Sequence, residues 1–284
     1  MPNISENILM ATRVLQMSGI VDPRREASSL LAFTLGSDKT FLVAYPEYAL
    51  TSDEENRFRE FLRRRASREP FQHITGKQEF YGLDFEVTAD VLIPRPETEL
   101  IVENAVEILR AKQHSHFCEV GVGSGCISVS ILHEVKTATA IGLDVSQKAL
   151  EIAGRNAARH QVSGRIELKI SDVLERLDDE KFDLIVSNPP YIPQADIESL
   201  QAEVRDFEPL TALTDHFDGL SIIEKIISES PSFLKPGGFL LIEIGYNQSE
   251  KVRAMFSPGS VWLAVEILDD LQGIPRMVKA KIGN

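Results

Sequence analysis

The segment Glu119-Val-Gly-Val-Gly-Ser-Gly125 lies between a predicted strand, His116–Val120, and a predicted helix, Gly125–His133. Its three glycines allow a sharp turn of the backbone and the close approach of a ligand. The amides that begin the helix favour an anionic group such as a carboxylate. A dinucleotide-binding fingerprint would need glycine at position 126, where this chain has Cys126. The loop therefore favours a nucleoside ligand without a pyrophosphate over NAD, and a plain strand-to-helix turn is the alternative.

Short apolar runs alternate with amphipathic segments from this loop to the end of the chain. The predicted strands are His116–Val120, Ala138–Asp144, Ile166–Ser171, Phe182–Ser187, Gly238–Gly245, Val261–Leu268 and Arg276–Ile282. The predicted helices are Gly125–His133, Ser146–His160, Ser221–Ser230 and Asn247–Met255. This alternation predicts an α/β fold with a mostly parallel, Rossmann-like sheet of seven strands. The last two strands have no helix between them, which predicts an antiparallel pair at one edge.

The chain before residue 70 has a different, helical periodicity. Apolar residues recur at three- and four-residue spacing in Ile4–Ser18, Arg24–Leu35 and Asp53–Arg68, and Ser52 or Asp53 is expected to cap the third helix. Alternation in Gln78–Val87 predicts a β-hairpin. We therefore expect a small all-helical domain at residues 1–76, a hairpin connector at residues 77–94 and the α/β domain at residues 95–284.

The composition fits a folded protein of about two domains, because the chain has 284 residues and 43% of them are hydrophobic. No apolar run exceeds five residues, which argues against a transmembrane helix. The N-terminus has no basic stretch followed by an apolar one, so no secretory signal is expected. Only two cysteines, Cys118 and Cys126, favour a reducing cytoplasm over a disulfide framework.

The formal net charge of −13 is distributed unevenly. Residues 1–76 carry ten basic and ten acidic side chains, whereas residues 77–284 carry 20 and 33. The acidic larger part argues against non-specific binding to nucleic acid. Six arginines between Arg57 and Arg68 are interpreted as a solvated helix face with Glu55–Arg59 and Glu60–Arg64 pairs, and docking of a partner is the alternative.

Two carboxylates follow neighbouring strands of the predicted sheet. Asp144 ends the second strand, 23 residues after Gly121, where an acidic side chain can accept hydrogen bonds from ribose hydroxyls. Asp172 follows the third strand and could accept a hydrogen bond from an adenine amino group. Each could instead be an ordinary helix cap. Together with the glycine loop, they predict an adenosyl site at the carboxyl ends of the strands.

The segment Ser187-Asn188-Pro189-Pro190-Tyr191 follows the fourth predicted strand. Two successive prolines fix the backbone and have no N–H, so the carbonyl groups of Asn188 and Pro189 have no local donor. Such a wall of acceptors suits a planar NH₂ group, and the Tyr191 ring could pack against that plane or near a sulfonium cation. A polyproline-like loop is the alternative.

The glycine loop, Asp144 and the Asn188–Tyr191 segment resemble those of class I S-adenosylmethionine-dependent amino methyltransferases. Three further segments resemble the PrmC/HemK family of peptide chain release factor N5-glutamine methyltransferases. These are Leu92-Ile-Pro-Arg-Pro-Glu-Thr-Glu99, Pro70–Gly76 with Glu79-Phe80, and Val204-Arg-Asp-Phe-Glu-Pro-Leu-Thr-Ala-Leu213. The resemblance covers nearly the whole chain, including the helical N-terminal domain.

The resemblance implies methylation of the glutamine in the Gly-Gly-Gln motif of class 1 release factors, a step of translation termination. It implies S-adenosylmethionine as the cofactor, S-adenosylhomocysteine as its product, and residues 1–76 as the substrate-recognition domain. The implied cofactor-binding residues are Gly121, Val122, Gly123, Ser124, Gly125, Asp144, Asp172, Val173 and Asn188. The implied catalytic residues are Asn188, Pro189 and Tyr191, and the amide is held by Asn188, Pro189, Pro190 and Tyr191. No metal is implied.

The chain departs from the family pattern at two places. Glu119 and Val120 precede Gly121 where relatives commonly have Asp followed by Leu or Ile, a conservative change. Val173 replaces the aromatic residue that some relatives place after Asp172, which implies a weaker adenine contact. Arg95 and Glu97 either shape the cofactor crevice or only form a turn between domains.

Three other functions compete with this interpretation. A nucleic-acid amino methyltransferase would use the same Asn188–Tyr191 loop but should have a basic cleft. A ribosomal-protein glutamine methyltransferase differs mainly in the segment from Val204 to Leu213. A binding module without turnover would keep the fold, but an intact glycine loop and Asn188 argue against it.

His114, His116 and Cys118 alternate along the chain, as metal ligands on one face of a strand would. A strand that enters the core explains this alternation better than a metal site does.

Overall fold

The computed structural model describes residues 2–256 and 261–283, which form two compact units. The first unit contains the chain up to Gly76 together with Gln201–Phe207. The second contains Lys77–Leu200 and the described residues from Glu208 onward. In the described ranges, no helix has both the length and the apolar character needed to span a bilayer.

The first unit is all-helical. Its first five helices are α1 (Ile4–Met17), α2 (Pro23–Leu35), α3 (Lys39–Ala44), α4 (Ser52–Ala66) and α5 (Phe71–Thr75). Their apolar faces meet in one core, whose largest fully buried side chain is Phe58. Helices α1, α2 and α4 confirm the three predicted helices, because each places its three- and four-spaced apolar residues against that core.

Helix α4 begins one residue earlier than the sequence suggested. Its cap is Thr51, not Ser52 or Asp53. The Thr51 hydroxyl accepts a hydrogen bond from the Glu54 amide, and the Glu54 carboxylate accepts one from the Thr51 amide. Both Thr51 with Glu54 and Ser52 with Glu55 fit the capping-box spacing. The extended backbone of Thr51 decides between them.

The second unit contains a hairpin and a large sheet. Its strands are β1 (Lys77–Phe80), β2 (Leu83–Glu86), β3 (His116–Val120), β4 (Thr139–Asp144), β5 (Ile166–Ile170), β6 (Phe182–Ser187), β7 (Leu234–Glu243), β8 (Trp262–Asp269) and β9 (Pro275–Ile282). Its helices are α6 (Glu99–Arg110), α7 (Cys126–Glu134), α8 (Gln147–Arg159), α10 (Leu210–Leu213), α11 (Ser221–Glu229) and α12 (Ser249–Met255). The short helix α9 (Ala202–Arg205) belongs to the first unit. The antiparallel pairing of β1 with β2 confirms the predicted hairpin.

The large sheet has seven strands in the order β5-β4-β3-β6-β7-β9-β8. Strands β3 to β7 pair in parallel, whereas β9 runs antiparallel to both β7 and β8. The predicted α/β fold and its antiparallel edge are therefore confirmed. Helix α6 was not predicted, although its buried residues Ile101, Val102, Ala105 and Leu109 have helical spacing. Pro94 and Pro96 lie just before it, where the sequence left open whether Arg95 and Glu97 form a turn between domains or shape the cofactor crevice.

Asn156 joins three elements of the second unit. This fully buried residue of α8 accepts a hydrogen bond from the Glu86 amide in β2 at 2.8 Å. Its Nδ2 donates to the carbonyl oxygens of Glu86, at 3.0 Å, and of Ser124 in the glycine loop, at 2.8 Å. One amide side chain thus attaches both the hairpin and the glycine loop to α8.

We expect Asn156→Ala to lower the free energy of unfolding by about 2–4 kcal/mol, because it leaves buried backbone groups without partners. Denaturant unfolding of both variants measures this. The control is Asn104→Ala, which removes a half-buried amide bonded to the Leu100 carbonyl and Lys279 and should cost less than about 1 kcal/mol. Equal losses in the two variants would contradict the joining role of Asn156.

Candidate active site

A cavity opens at the carboxyl ends of the central strands and encloses about 1090 Å³, counting the part open to solvent. Strand β3 has β4 on one side and β6 on the other, so the connection from β3 to β4 and the connection from β6 to β7 run in opposite directions along the sheet. Such a reversal of strand order creates a crevice that the connecting loops can line. The cavity therefore lies where the sheet topology predicts a ligand.

The glycine loop after β3 is attached to strand β4 by its backbone. The amides of Gly121 and Val122 both donate to the Leu143 carbonyl, at 2.8 and 2.9 Å. Gly125 has a φ of +79°, and a Cβ there would lie 3.2 Å from Ala153 Cα. A side chain at position 125 would therefore be strained and would press against α8. All five residues from Gly121 to Gly125 belong to the second unit, and the first four line the cavity.

Asp144 holds the same loop from the end of β4. Its two carboxylate oxygens accept hydrogen bonds from the amides of Gly123 and Ser146, each at 2.9 Å. Burial raises the pKa of Asp144, and these amide donors oppose that rise. A carboxylate has about four acceptor positions, so Asp144 can still accept from two hydroxyl groups. It lines the cavity, as its predicted role requires.

Glu119 is a second buried carboxyl group at the carboxyl ends of the strands. In the sequence it was noted only as a departure from the family pattern before the glycine loop. Its Oε2 accepts a hydrogen bond from the Ser128 amide at 2.9 Å, and the residue lines the cavity. Burial raises the pKa of Glu119 to about 8. A group in this state favours a cationic ligand, which would stabilise the carboxylate form.

Asp172 and Val173 both line the cavity but differ in exposure. The Asp172 side chain is 55% exposed and its Oδ2 lies 3.1 Å from Lys225 Nζ, so it is a rim residue with one oxygen paired. Val173 is buried and has a φ of +49°. That backbone is unusual for a β-branched residue and costs about 1–3 kcal/mol, a strain often found at functional sites.

The loop after β6 brings Asn188, Pro189 and Pro190 to the cavity wall. Asn188 Nδ2 donates a hydrogen bond to the Thr98 hydroxyl oxygen at 3.1 Å. The amide group of Asn188 is thus oriented by its own NH₂, which leaves its Oδ1 to accept a hydrogen bond from a ligand. Thr98 had no role in the sequence analysis, and only its position in the fold reveals one.

Tyr191 is not among the residues that line the cavity. Its hydroxyl donates to Glu243 Oε1 at 3.0 Å, and its ring packs against the buried cluster that contains Ile242. Burial raises the pKa of Tyr191, and the neighbouring Glu243 raises it further. The structure therefore brings Asn188, Pro189 and Pro190 to the cavity wall, and it holds the half-buried Tyr191 by a hydrogen bond to Glu243.

Arg95 lines the cavity and pairs with Glu208, whose side chain is 1% exposed. Glu208 also accepts a hydrogen bond from the Ile93 amide at 3.1 Å. Of the two functions left open for Arg95, the structure thus favours shaping the cavity.

One of the two ion pairs expected in helix α4 is different, because Glu60 pairs with Arg63 and not with Arg64.

We expect Gly219→Ala to lower the free energy of unfolding by about 2–5 kcal/mol. Gly219 has a φ of +78°, and its new Cβ would lie 2.1 Å from the Tyr191 carbonyl oxygen. The change adds backbone strain to a clash that must displace the Asn188–Tyr191 loop. Gly164→Ala is the control, since nothing lies within 4 Å of its Cβ and it should shift stability by less than about 1 kcal/mol. Thermal and denaturant unfolding would refute the clash if both variants behaved alike.

Comparisons with known proteins agree along both units. Residues 6–76 match the family described as PrmC N-terminal domain, and residues 98–204 match the family described as Methyltransferase small domain. The release factor glutamine methyltransferase of Geobacter sulfurreducens is 43% identical over 269 residues, covering 95% of this chain and 93% of that protein. The protein of the same name from Koribacter versatilis is 40% identical over 269 residues, covering 94% of both.

Solved structures share the fold at lower identity. A methyltransferase from Pyrococcus furiosus has a TM-score of 0.51 and 17% identity, covering 82% of this chain and 100% of that one. The catalytic domain of hMettl16, solved with an RNA hairpin, has a TM-score of 0.55 and 15% identity, covering 81% of each chain. At such identities the likeness concerns the fold alone.

Proposed function

Because the chain belongs to the family of release factor glutamine methyltransferases, we propose that it transfers a methyl group from S-adenosylmethionine to the side-chain amide nitrogen of a glutamine in peptide chain release factors. The observation that carries this proposal is the orientation of Asn188. Its NH₂ is engaged by Thr98, so its oxygen remains to accept a hydrogen bond from an amide NH₂ at the wall of the cavity.

The residues around the cavity fit the cofactor. Asp144 has free acceptor positions for ribose hydroxyls, and Val145 and Val173 provide apolar surface for adenine. Glu119 can face the positive charge of the methionine part, and the turn of the glycine loop brings the backbone close to it. Asp172 would contact adenine only through its unpaired oxygen. When bound, the cofactor supplies an electrophilic methyl group on a sulfonium sulfur.

The substrate nitrogen needs help because its lone pair is delocalised into the carbonyl group. Asn188 Oδ1 and the Pro189 carbonyl would accept hydrogen bonds from its two N–H groups and turn the nitrogen towards the methyl group. Positioning and exclusion of water then provide much of the rate. The methylated amide is strongly acidic until it loses a proton, and water can accept that proton. Tyr191 holds the loop in place through its hydrogen bond to Glu243.

We assign the finer features of the reaction on the same basis. The substrate is the Gly-Gly-Gln glutamine of class 1 release factors, the helical unit that contains residues 1–76 is the recognition domain, and the enzyme works in the cytoplasm, where translation takes place. The charge of −13 supports a protein substrate over a nucleic acid. Incubation with labelled S-adenosylmethionine and release factor, ribosomal proteins or nucleic acid tests these assignments. Label in any acceptor other than the release factor glutamine would contradict them.

Asn188→Ala should reduce methyl transfer by at least about 1000-fold, because the amide nitrogen loses the acceptor that orients it. Binding of S-adenosylmethionine should stay within about threefold of wild type, since most of its contacts lie on the glycine loop and Asp144. Single-turnover kinetics and calorimetry measure the two effects separately. Transfer at the wild-type rate in this variant would refute the role of Asn188.

Affinity for S-adenosylmethionine should rise with pH up to about pH 8. Glu119 is mostly protonated below its pKa of about 8 in the free protein, and a bound cation favours its carboxylate, so binding releases a proton. Glu119→Gln should remove this part of the pH dependence. The difference between the two proteins cancels the titration of the ligand itself. Parallel affinity curves from pH 6 to 9 would contradict the ionisation of Glu119 on binding.

A further inference from the structure

Gln248 is a buried amide side chain that joins three loops beyond the carboxyl ends of the strands. It lies between β7 and α12 and is 4% exposed. Its Nε2 donates hydrogen bonds to the carbonyl oxygens of Tyr191, at 2.9 Å, and of Gly219, at 3.1 Å. Its Oε1 accepts a hydrogen bond from the Gly245 amide at 2.8 Å. Both protons of the NH₂ group are therefore used to hold backbone carbonyls.

The Tyr191 carbonyl is the point at which Gln248 reaches the loop that would hold the substrate amide. In the segment from Asn188 to Tyr191, two prolines remove two of the N–H groups that could attach the backbone to its surroundings, and their rings fix φ. Such a segment is stiff, so the groups held at its two ends set its position. Thr98 holds the side chain at the first end, and Gln248 holds the carbonyl at the last.

The peptide group that joins Tyr191 to Ile192 is held from both sides. Its carbonyl accepts from Gln248, and its amide donates to the Leu213 carbonyl at 2.9 Å. Gly219 permits this packing, because a Cβ there would lie 2.1 Å from the Tyr191 carbonyl oxygen. Without the Gln248 donors, this peptide group would be held through its amide alone and two carbonyl groups would lose a partner.

We propose that Gln248 is a positioning residue for methyl transfer, which sets the place of the Asn188 and Pro189 oxygens at the cavity wall. The inference rests on the proposed function, in which those two oxygens turn the substrate nitrogen towards the methyl group. Gln248 is not among the residues that line the cavity, so its effect passes through the backbone of the loop. A displacement of about 1 Å can lower a rate by about 100-fold, even when the altered residue is far from the chemistry.

The first test is Gln248→Met, which keeps the length of the side chain and removes both donors. With saturating S-adenosylmethionine and release factor, the single-turnover rate constant should fall by at least about tenfold. Affinity for S-adenosylmethionine, and for the release factor with S-adenosylhomocysteine present, should stay within about threefold of wild type by calorimetry. A residue that only supported folding would change the amount of active enzyme and leave this rate constant unchanged.

Two further variants separate positioning from stability. Gln248→Glu keeps the shape of the side chain but has at most one proton to donate, so it cannot satisfy both carbonyls and should also lose at least about tenfold in rate. Arg165→Met is the matched control. Arg165 donates to the carbonyls of Leu132, at 2.6 Å, and of Val135 and Ala138, at 3.1 Å each, just before the amino end of β4. This control should lower stability and keep the rate constant within about twofold.

The outcomes distinguish this inference from the proposed function. If wild type methylates the release factor and Gln248→Met keeps the wild-type rate constant, the role of Gln248 is overturned. An equal loss of rate in Arg165→Met would also overturn it, since general destabilisation would then explain the result. Weaker binding of the release factor with an unchanged rate constant would assign Gln248 to docking and overturn positioning. If wild type does not methylate the release factor, the proposed function fails and the inference fails with it.

Discussion

The site depends on carboxyl groups that are buried away from water at the carboxyl ends of the strands. Glu119, Asp144 and Glu243 all lie at the carboxyl ends of strands, and burial is the largest influence on the pKa of each. None of the three has an ion pair among the described residues, so backbone amides and hydroxyls supply their hydrogen bonds. Groups held in this way respond strongly to a ligand that brings positive charge.

At the amino ends of the strands, a buried carboxylate is stabilised in a different way. Asp183, at the start of β6, is also buried, but Lys112 and Lys235 both pair with it and the His116 amide donates to it. Burial alone would raise its pKa, and these partners together lower it. The buried carboxylate at the amino end of β6 is therefore neutralised within the protein. The carboxyl groups at the carboxyl ends of the strands are left for a cationic cofactor to neutralise.

Residues packed around the cavity hold its loops in place. Asn156 joins the hairpin and the glycine loop to α8, and Gly219 allows the backbone to approach the Tyr191 carbonyl. Glu208 holds both Arg95 and the Ile93 amide. In each case a single buried polar or glycine residue positions a loop that contacts the ligand space. This arrangement fits a reaction whose rate comes largely from orientation.

Local patterns predicted the alternating strands and helices, the hairpin and the glycine loop, because hydrophobic period and turn chemistry are written in neighbouring residues. Other features of the structure were not predicted from the sequence, and each has a physical reason. Two capping boxes competed for α4, prolines concealed the start of α6, and Glu60 had two arginines within helical reach. The contacts of Thr98, Glu243 and Asn156 join residues that are far apart in the chain.

The sequence by itself thus determined the fold class and the set of residues at the carboxyl ends of β3, β4 and β6, since strand ends converge in any parallel sheet. Only the tertiary structure decided which side chains face the cavity. It placed Asn188 on the wall with its NH₂ engaged, turned Tyr191 towards Glu243, and left Asp172 at the rim. The reason is that orientation and protonation follow from burial and from hydrogen-bond partners, which exist only once distant segments have packed together.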